Sequence, residues 1–189
     1  MRTRNGLTRR ASKFSLIHRI FFVFLLGLGT APVFADVKVL DQDGRERLFS
    51  ADVLGKDAII INFVYTHCQG VCPSQGKRFE QLQSLLEKSA RTDVRLVSLS
   101  IDPERDTPED LKRWSKQFRA GKNWTLVVAS PKDTEALSRQ ILGMTLSTGE
   151  HSPYLAIRNA RGQWRPLYGL TRTAEILTNL DAFSKSLEN

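Results

Sequence analysis

Residues 58–65 run Ala-Ile-Ile-Ile-Asn-Phe-Val-Tyr, with no charge, no glycine and no proline. They lead into a short polar segment holding the only two cysteines of the chain, Cys68 and Cys72. After Pro73, apolar residues recur at Phe79, Leu82, Leu85 and Leu86. A continuous β-branched and aromatic run is a strand covered on both faces, and apolar residues three and four apart make a helix that covers one of those faces. The chain must therefore bury a sheet between layers, with two thiols where its central strand passes into a helix. Pro73 is expected at the first helical position.

The neighbouring segments repeat this alternation. Residues 94–101 (VRLVSLSI) form a second buried strand. Thr107-Pro108-Glu109-Asp110 then opens a helix to about Phe118, with an N-cap, a proline and an acid at the third position. Residues 124–129 form a third strand, and Ser130-Pro131-Lys132-Asp133 caps a helix with Leu137, Ile141 and Leu142 on its apolar face. Two hairpins flank this unit: Val37 to Leu40 with Arg47 to Phe49 around Asp41-Gln42-Asp43-Gly44, and Tyr154 to Arg158 with Trp164 to Tyr168 around Asn159-Ala160-Arg161-Gly162. A last helix follows from about Thr173 to Leu187. The expected fold is α/β: a thioredoxin-like mixed sheet flanked by helices, with an N-terminal hairpin.

A net charge of +8 suggests nucleic acid until the charges are placed. Residues 1–35 hold six basic residues and no acid, which leaves 22 basic against 20 acidic residues in the remainder. The body is nearly neutral, so a nucleic-acid partner is not expected. Trp114, Trp124 and Trp164 read as core or half-buried rings. A basic leader, an apolar run from Ile20 to Leu28 and Ala31-Pro32-Val33-Phe34-Ala35 have the layout of a secretory signal peptide. Cleavage after Ala35 would leave residues 36–189 as one domain, exported and periplasmic. The alternative is an uncleaved leader that anchors the domain to the inner membrane, although the apolar stretch is shorter than the roughly 20 residues of a comfortable span.

Cys68 and Cys72 stand four positions apart. As a structural staple they would gain little, because closing so short a loop is worth only about 2 kcal/mol. Two thiols held together suit either thiol–disulfide exchange or a two-thiolate metal chelate. Cys72, directly before Pro73, is expected to be the thiol activated by the helix N-terminus. Soft thiolates suit Cu(I), and imidazole accepts copper in either oxidation state. Beyond the leader the chain has two histidines, His67 and His151. His67 adjoins Cys68, where joint ligation of one ion is awkward. His151 lies in the polar loop before the second hairpin. Met144 reads as core packing rather than a thioether ligand.

Three segments carry a resemblance that reaches across nearly the whole domain: Thr66-His67-Cys68-Gln69-Gly70-Val71-Cys72-Pro73, then Ser100-Ile101-Asp102-Pro103-Glu104-Arg105-Asp106-Thr107-Pro108, then His151-Ser152 ahead of a hairpin. In order and context they resemble the Sco/SenC family of thioredoxin-like copper-binding proteins. The resemblance implies copper, as Cu(I) or Cu(II), held by Cys68, Cys72 and His151, and it places Asp102 near the metal or on a partner surface. It implies a metallochaperone that serves the copper-bearing subunit of cytochrome c oxidase or another periplasmic cuproprotein. The same cysteines would form a redox pair, a disulfide when oxidised, so a periplasmic thiol–disulfide oxidoreductase is the alternative function. Two features depart from the family: Gln69 stands where proline is common, which makes the turn more flexible, and no cysteine near the leader is available for lipidation.

Overall fold

Valine and isoleucine at alternate positions place one side chain above and the next below a sheet, and here both sides are apolar, so the strands need helices on both faces. The computed structural model, which describes residues 37–149, 153–169 and 171–185, has that arrangement. The strands are β1 (Lys38–Asp41), β2 (Glu46–Leu48), β3 (Ala58–Val64), β4 (Val94–Ser100), β5 (Trp124–Ala129), β6 (Tyr154–Arg158) and β7 (Trp164–Tyr168). The helices are α1 (Val71–Lys88), α2 (Pro108–Gln117), α3 (Pro131–Leu142) and α4 (Thr173–Lys185). The sheet order is β2-β1-β5-β4-β3-β6-β7, and all of it falls within one compact unit, residues 32–189.

β3 lies beside parallel β4 and antiparallel β6, and β4 pairs in parallel with β5. The two parallel connections step across the sheet in one direction, so crossovers of the usual hand put α1 and α2 on the same face. There Phe79 and Leu82 of α1, Leu111 and Trp114 of α2, and Ile176 and Leu180 of α4 pack on Ile60, Leu96, Leu126 and Leu155. The opposite face carries α3: Leu137 and Ile141 pack with Ile59, Ile61, Phe63, Val97 and Val127. Inside the first layer Trp124 donates its Nε1–H to Ser98 Oγ (2.9 Å), and Ser98 donates in turn to Asn62 Oδ1 (2.6 Å). The one polar residue in the β3 run is thus supported by its parallel neighbour.

The predicted helix caps at Thr107 and Ser130 are both formed. The Thr107 side chain accepts from the Asp110 N–H, and Asp110 Oδ2 accepts from the Thr107 N–H in return. Ser130 accepts from the Asp133 N–H.

Three expectations need correction. Helix α1 begins at Val71, so Pro73 is its third residue, where an absent N–H is still no loss because none of the first four has an intrahelical acceptor. Phe49 does not extend β2. It opens a six-residue π-helical turn (Phe49–Leu54) and is fully buried with Leu54 beneath α3's face of the sheet. Met144 is not core: it follows Gly143, whose left-handed backbone ends α3, and it stands 42% exposed.

Helix α1 approaches α2 closely through a glycine. A Cβ on Gly76 would lie 2.5 Å from the ring of Phe118, a buried residue just past α2. Gly76→Ala should therefore destabilise the fold by about 1–3 kcal/mol despite alanine's better helix propensity, because overpacking outweighs the gain of roughly 1 kcal/mol. Urea unfolding of the two proteins checks the sign, and a stabilised variant would show that the ring yields freely.

Candidate metal and thiol site

The end of β3 and the start of α1 are joined by residues 65–70, and this turn carries the chemistry. Its position is enforced from β4 and the segment after it. Asp106 is buried, and its carboxylate accepts from the Thr66 N–H (3.1 Å to Oδ2), from Thr66 Oγ1 (2.6 Å to Oδ1) and from Ser100 Oγ (2.7 Å to Oδ2). One carboxylate thus ties the entrance of the cysteine turn to the end of β4. His67 is an exposed residue whose Nδ1 lies 3.3 Å from Asp106 Oδ1 and 3.2 Å from Thr66 Oγ1. Asp102 is nearly buried and pairs with Arg105 through Nε (2.7 Å) and Nη2 (2.6 Å). His67, Asp102 and Asp106 bring one potential ligand atom each to within 4.8 Å of one another. Both Asp106 oxygens are engaged by Thr66 and Ser100, and Asp102 Oδ2 by Arg105, so the cluster reads as the brace of the turn.

Cys68 and Cys72 are both free thiols, and they are 6% and 3% exposed. Each thiol influences the acidity of the other. Burial pushes the Cys68 thiol up, but hydrogen bonds from Cys72, from the Tyr65 hydroxyl and from the backbone at Gly70 and Cys72 outweigh it and leave Cys68 below its ordinary value. Cys72 moves the other way, to about 12, because burial and the neighbouring Cys68 sulfur both disfavour its thiolate. This reverses the expectation that Cys72 is the activated thiol. Backbone N–H groups at Gly70 and Cys72, where α1 begins, favour the Cys68 thiolate, whereas Cys72 is itself the helix's second residue and burial weighs against its thiolate.

His151 lies outside the described residues, as do residues 1–36 and with them the leader. Its near neighbour Pro153 is buried and leads directly into β6. An ideal Cβ at Gly169, just after β7, would stand 1.8 Å from the Pro153 carbonyl oxygen and 2.6 Å from Nε2 of Gln75. Gln75 lies one turn beyond Cys72 in α1. The root of the His151 segment is therefore packed against the helix that carries the cysteines. Sequence reasoning missed Asp106 as the clamp of the turn, because 40 positions separate it from Thr66. It also missed Gln75, which in the sequence is indistinguishable from an ordinary polar helix residue.

Beside the turn runs an open cleft of about 330 Å³ lined by Thr66, His67, Asp110, Arg113, Trp114 and Gln117. Among the described residues no helix is long and apolar enough to cross a membrane.

A mixed sheet with helices on both faces, and two free cysteines where its central strand meets α1, defines a thioredoxin-like protein with a two-cysteine site. The chain belongs to the SCO1/SenC family, whose model matches residues 29–175. It is 33% identical over 78 residues to an SCO1 protein homolog of Bacillus subtilis, covering 41% of this chain and 39% of that protein. It spans about two fifths of the length of the curated relatives it matches first. The solved structure of BsSco, a member of the Sco family of cytochrome c oxidase assembly proteins in which a disulfide switch was identified, superposes with a TM-score of 0.66 at 23% identity, over 78% of this chain and 91% of that one. Yeast Sco1 with copper bound gives 0.62 at 15% identity, over 81% and 95%.

Proposed function

We propose that the protein is a copper metallochaperone that binds copper through Cys68, Cys72 and His151 and supports assembly of the copper centre of cytochrome c oxidase. The observation that carries this reading is the pair of free, buried thiols where β3 passes into α1, in a chain of the SCO1/SenC family. Two thiolates and an imidazole are a soft, three-donor set suited to Cu(I). Pro153, two residues beyond His151, is rooted beside α1, which favours His151 over His67 as the third donor; the His67 ring is already turned to Asp106. Asp102, paired with Arg105, fits a role in bracing the site rather than binding the ion. The copper-bound yeast Sco1 and the oxidase-assembly role of the BsSco family support the cargo and the destination. The basic leader supports an exported, periplasmic location, with residues 36–189 as the working domain, and an inner-membrane anchor as the alternative.

The reduced protein loaded with Cu(I) and passed over a competing chelator should retain one copper per chain. Retention of none by the reduced protein would leave the second reading, a thiol–disulfide oxidoreductase. The opposed shifts of Cys68 and Cys72 favour that activity: Cys68 attacks a partner disulfide, Cys72 resolves the mixed disulfide, and the partner leaves with two thiols while this chain keeps the disulfide.

A further inference from the structure

A cleft of about 390 Å³ runs along α1 from the cysteine turn, lined by Pro73, Ser74, Lys77, Arg78 and Gln81. Its near end adjoins the thiols. Pro73 follows Cys72 directly, and an ideal Cβ at Gly70, the cap of α1, would lie 3.9 Å from Cys68 Sγ. Positions 74, 77, 78 and 81 are three and four apart, so they share one stripe of the helix. Long helical side chains lean toward the N-terminus, which fits Arg78 sharing the cleft with Pro73. Arg78 is half-buried, and among the described residues no carboxylate, carbonyl or ring holds it. Every other described arginine is engaged: most by a carboxylate, Arg158 by the Gly55 and Asp57 carbonyls, Arg165 by the Phe183 ring, and Arg161 also.

The surrounding charges leave Arg78 uncompensated. Burial weighs against its charge, and no acid offsets that. Glu80 is the only acid among residues 71–86, and both its oxygens are taken, Oε2 by Lys77 Nζ and Oε1 by Arg119 Nη1 (2.8 Å each). On α4, which packs on the same face of the sheet, Asp181 is held by Arg91 and Glu175 is paired with Arg172. A partly desolvated cation is stabilised by an anion, and a guanidinium suits a carboxylate in particular, because its fork can donate two parallel hydrogen bonds. Resting on the reading that a partner's cysteines come to Cys68 and Cys72, which copper transfer and thiol exchange both require, we infer that Arg78 is the docking residue for an acidic segment of the partner polypeptide. The segment lies along the α1 cleft with its carboxylate on the Arg78 guanidinium. From Gly70 to Arg78 the helix rises about 12 Å, and extended chain covers about 3.3 Å per residue. The acid therefore stands about three residues from the partner's reacting cysteine.

The probes are capped peptides with one cysteine activated as a pyridyl disulfide and either glutamate or glutamine three residues after it; a second pair carries that residue three positions before. The Cys68 thiolate attacks the peptide sulfur and expels thiopyridone, whose absorbance gives the rate. In one pair the glutamate peptide should react about 3–10-fold faster than its glutamine twin, as an ion pair at a half-buried cation provides, and the advantage should shrink as salt rises. Arg78→Gln should bring the ratio to about one. Arg78→Lys keeps the charge without the planar fork and should retain part of it, while Lys132→Gln, on α3 across the sheet, should leave it whole. A glutamate advantage that survives Arg78→Gln, or none for either pair in the unaltered protein, would overturn the inference alone. Reaction of the unaltered reduced protein with none of the peptides would overturn the two-cysteine reading, and this inference with it.

Discussion

Cys68→Ser and Cys72→Ser are each expected to lose tight Cu(I) binding, and His151→Ala to lose most of it, while His67→Ala keeps it. The size of the effect follows from comparison with weaker perturbations. Removing a residue that merely orients a metal ligand costs about 10–100-fold in affinity, so removing the ligand itself should exceed about a hundredfold. Serine does not compensate, because its hydroxyl is a hard donor and Cu(I) prefers soft sulfur. For His151 the remaining thiolate pair still binds, but as an open two-donor site from which a chelator takes the metal. His67→Ala removes a ring engaged by Asp106 and Thr66, and Asp106 keeps its bonds to the Thr66 and Ser100 side chains, so the turn should hold. Chelator competition across the four variants gives the ranking. Unchanged binding by His151→Ala together with loss in His67→Ala would exchange the two histidines.

Much of this architecture could be seen in the chain because local and global signals agree. β3 is an unbroken β-branched run and every one of its residues is buried. Thr107 and Ser130 are followed by proline and then an acid, and both cap as such residues do. The misses have a common origin in contacts that no local pattern encodes. Pro73 marked a helix start correctly to within two residues, because any of the first turn's positions tolerates a lost N–H. Phe49 continued an alternating pattern, but its burial beneath α3's face called for a π-helical turn instead of another strand residue. Asp106 has the sequence context of an organiser of its own loop; it is the distant Thr66 that takes most of its acceptor capacity. The direction of thiol activation was misjudged because the backbone N–H groups where α1 begins favour the thiolate of Cys68, in the turn before the helix, and not that of the cysteine inside it.

This asymmetry makes its own prediction: at neutral pH iodoacetamide should modify Cys68 well before Cys72. With its thiol pushed up to about 12, Cys72 stays almost wholly protonated at neutral pH, whereas Cys68, held below its ordinary value, supplies far more thiolate. As pH rises, labelling of Cys68 levels off once its thiol has ionised, and that of Cys72 keeps climbing about tenfold per unit. The linked stability has a definite sign: the folded state holds the Cys72 proton more tightly than the unfolded chain. The stabilisation it contributes is complete below about pH 9 and is lost as pH rises toward about 12. Copper and oxidation should each abolish labelling for different reasons, the metal by occupying both sulfurs and the disulfide by joining them. The two states must then exclude each other, since one ion needs as separate thiolates the sulfurs that oxidation couples. Parallel thiol counts and copper retention on the reduced and the oxidised protein decide it. Equal retention by both forms would move the metal away from Cys68 and Cys72 and leave them a redox pair only.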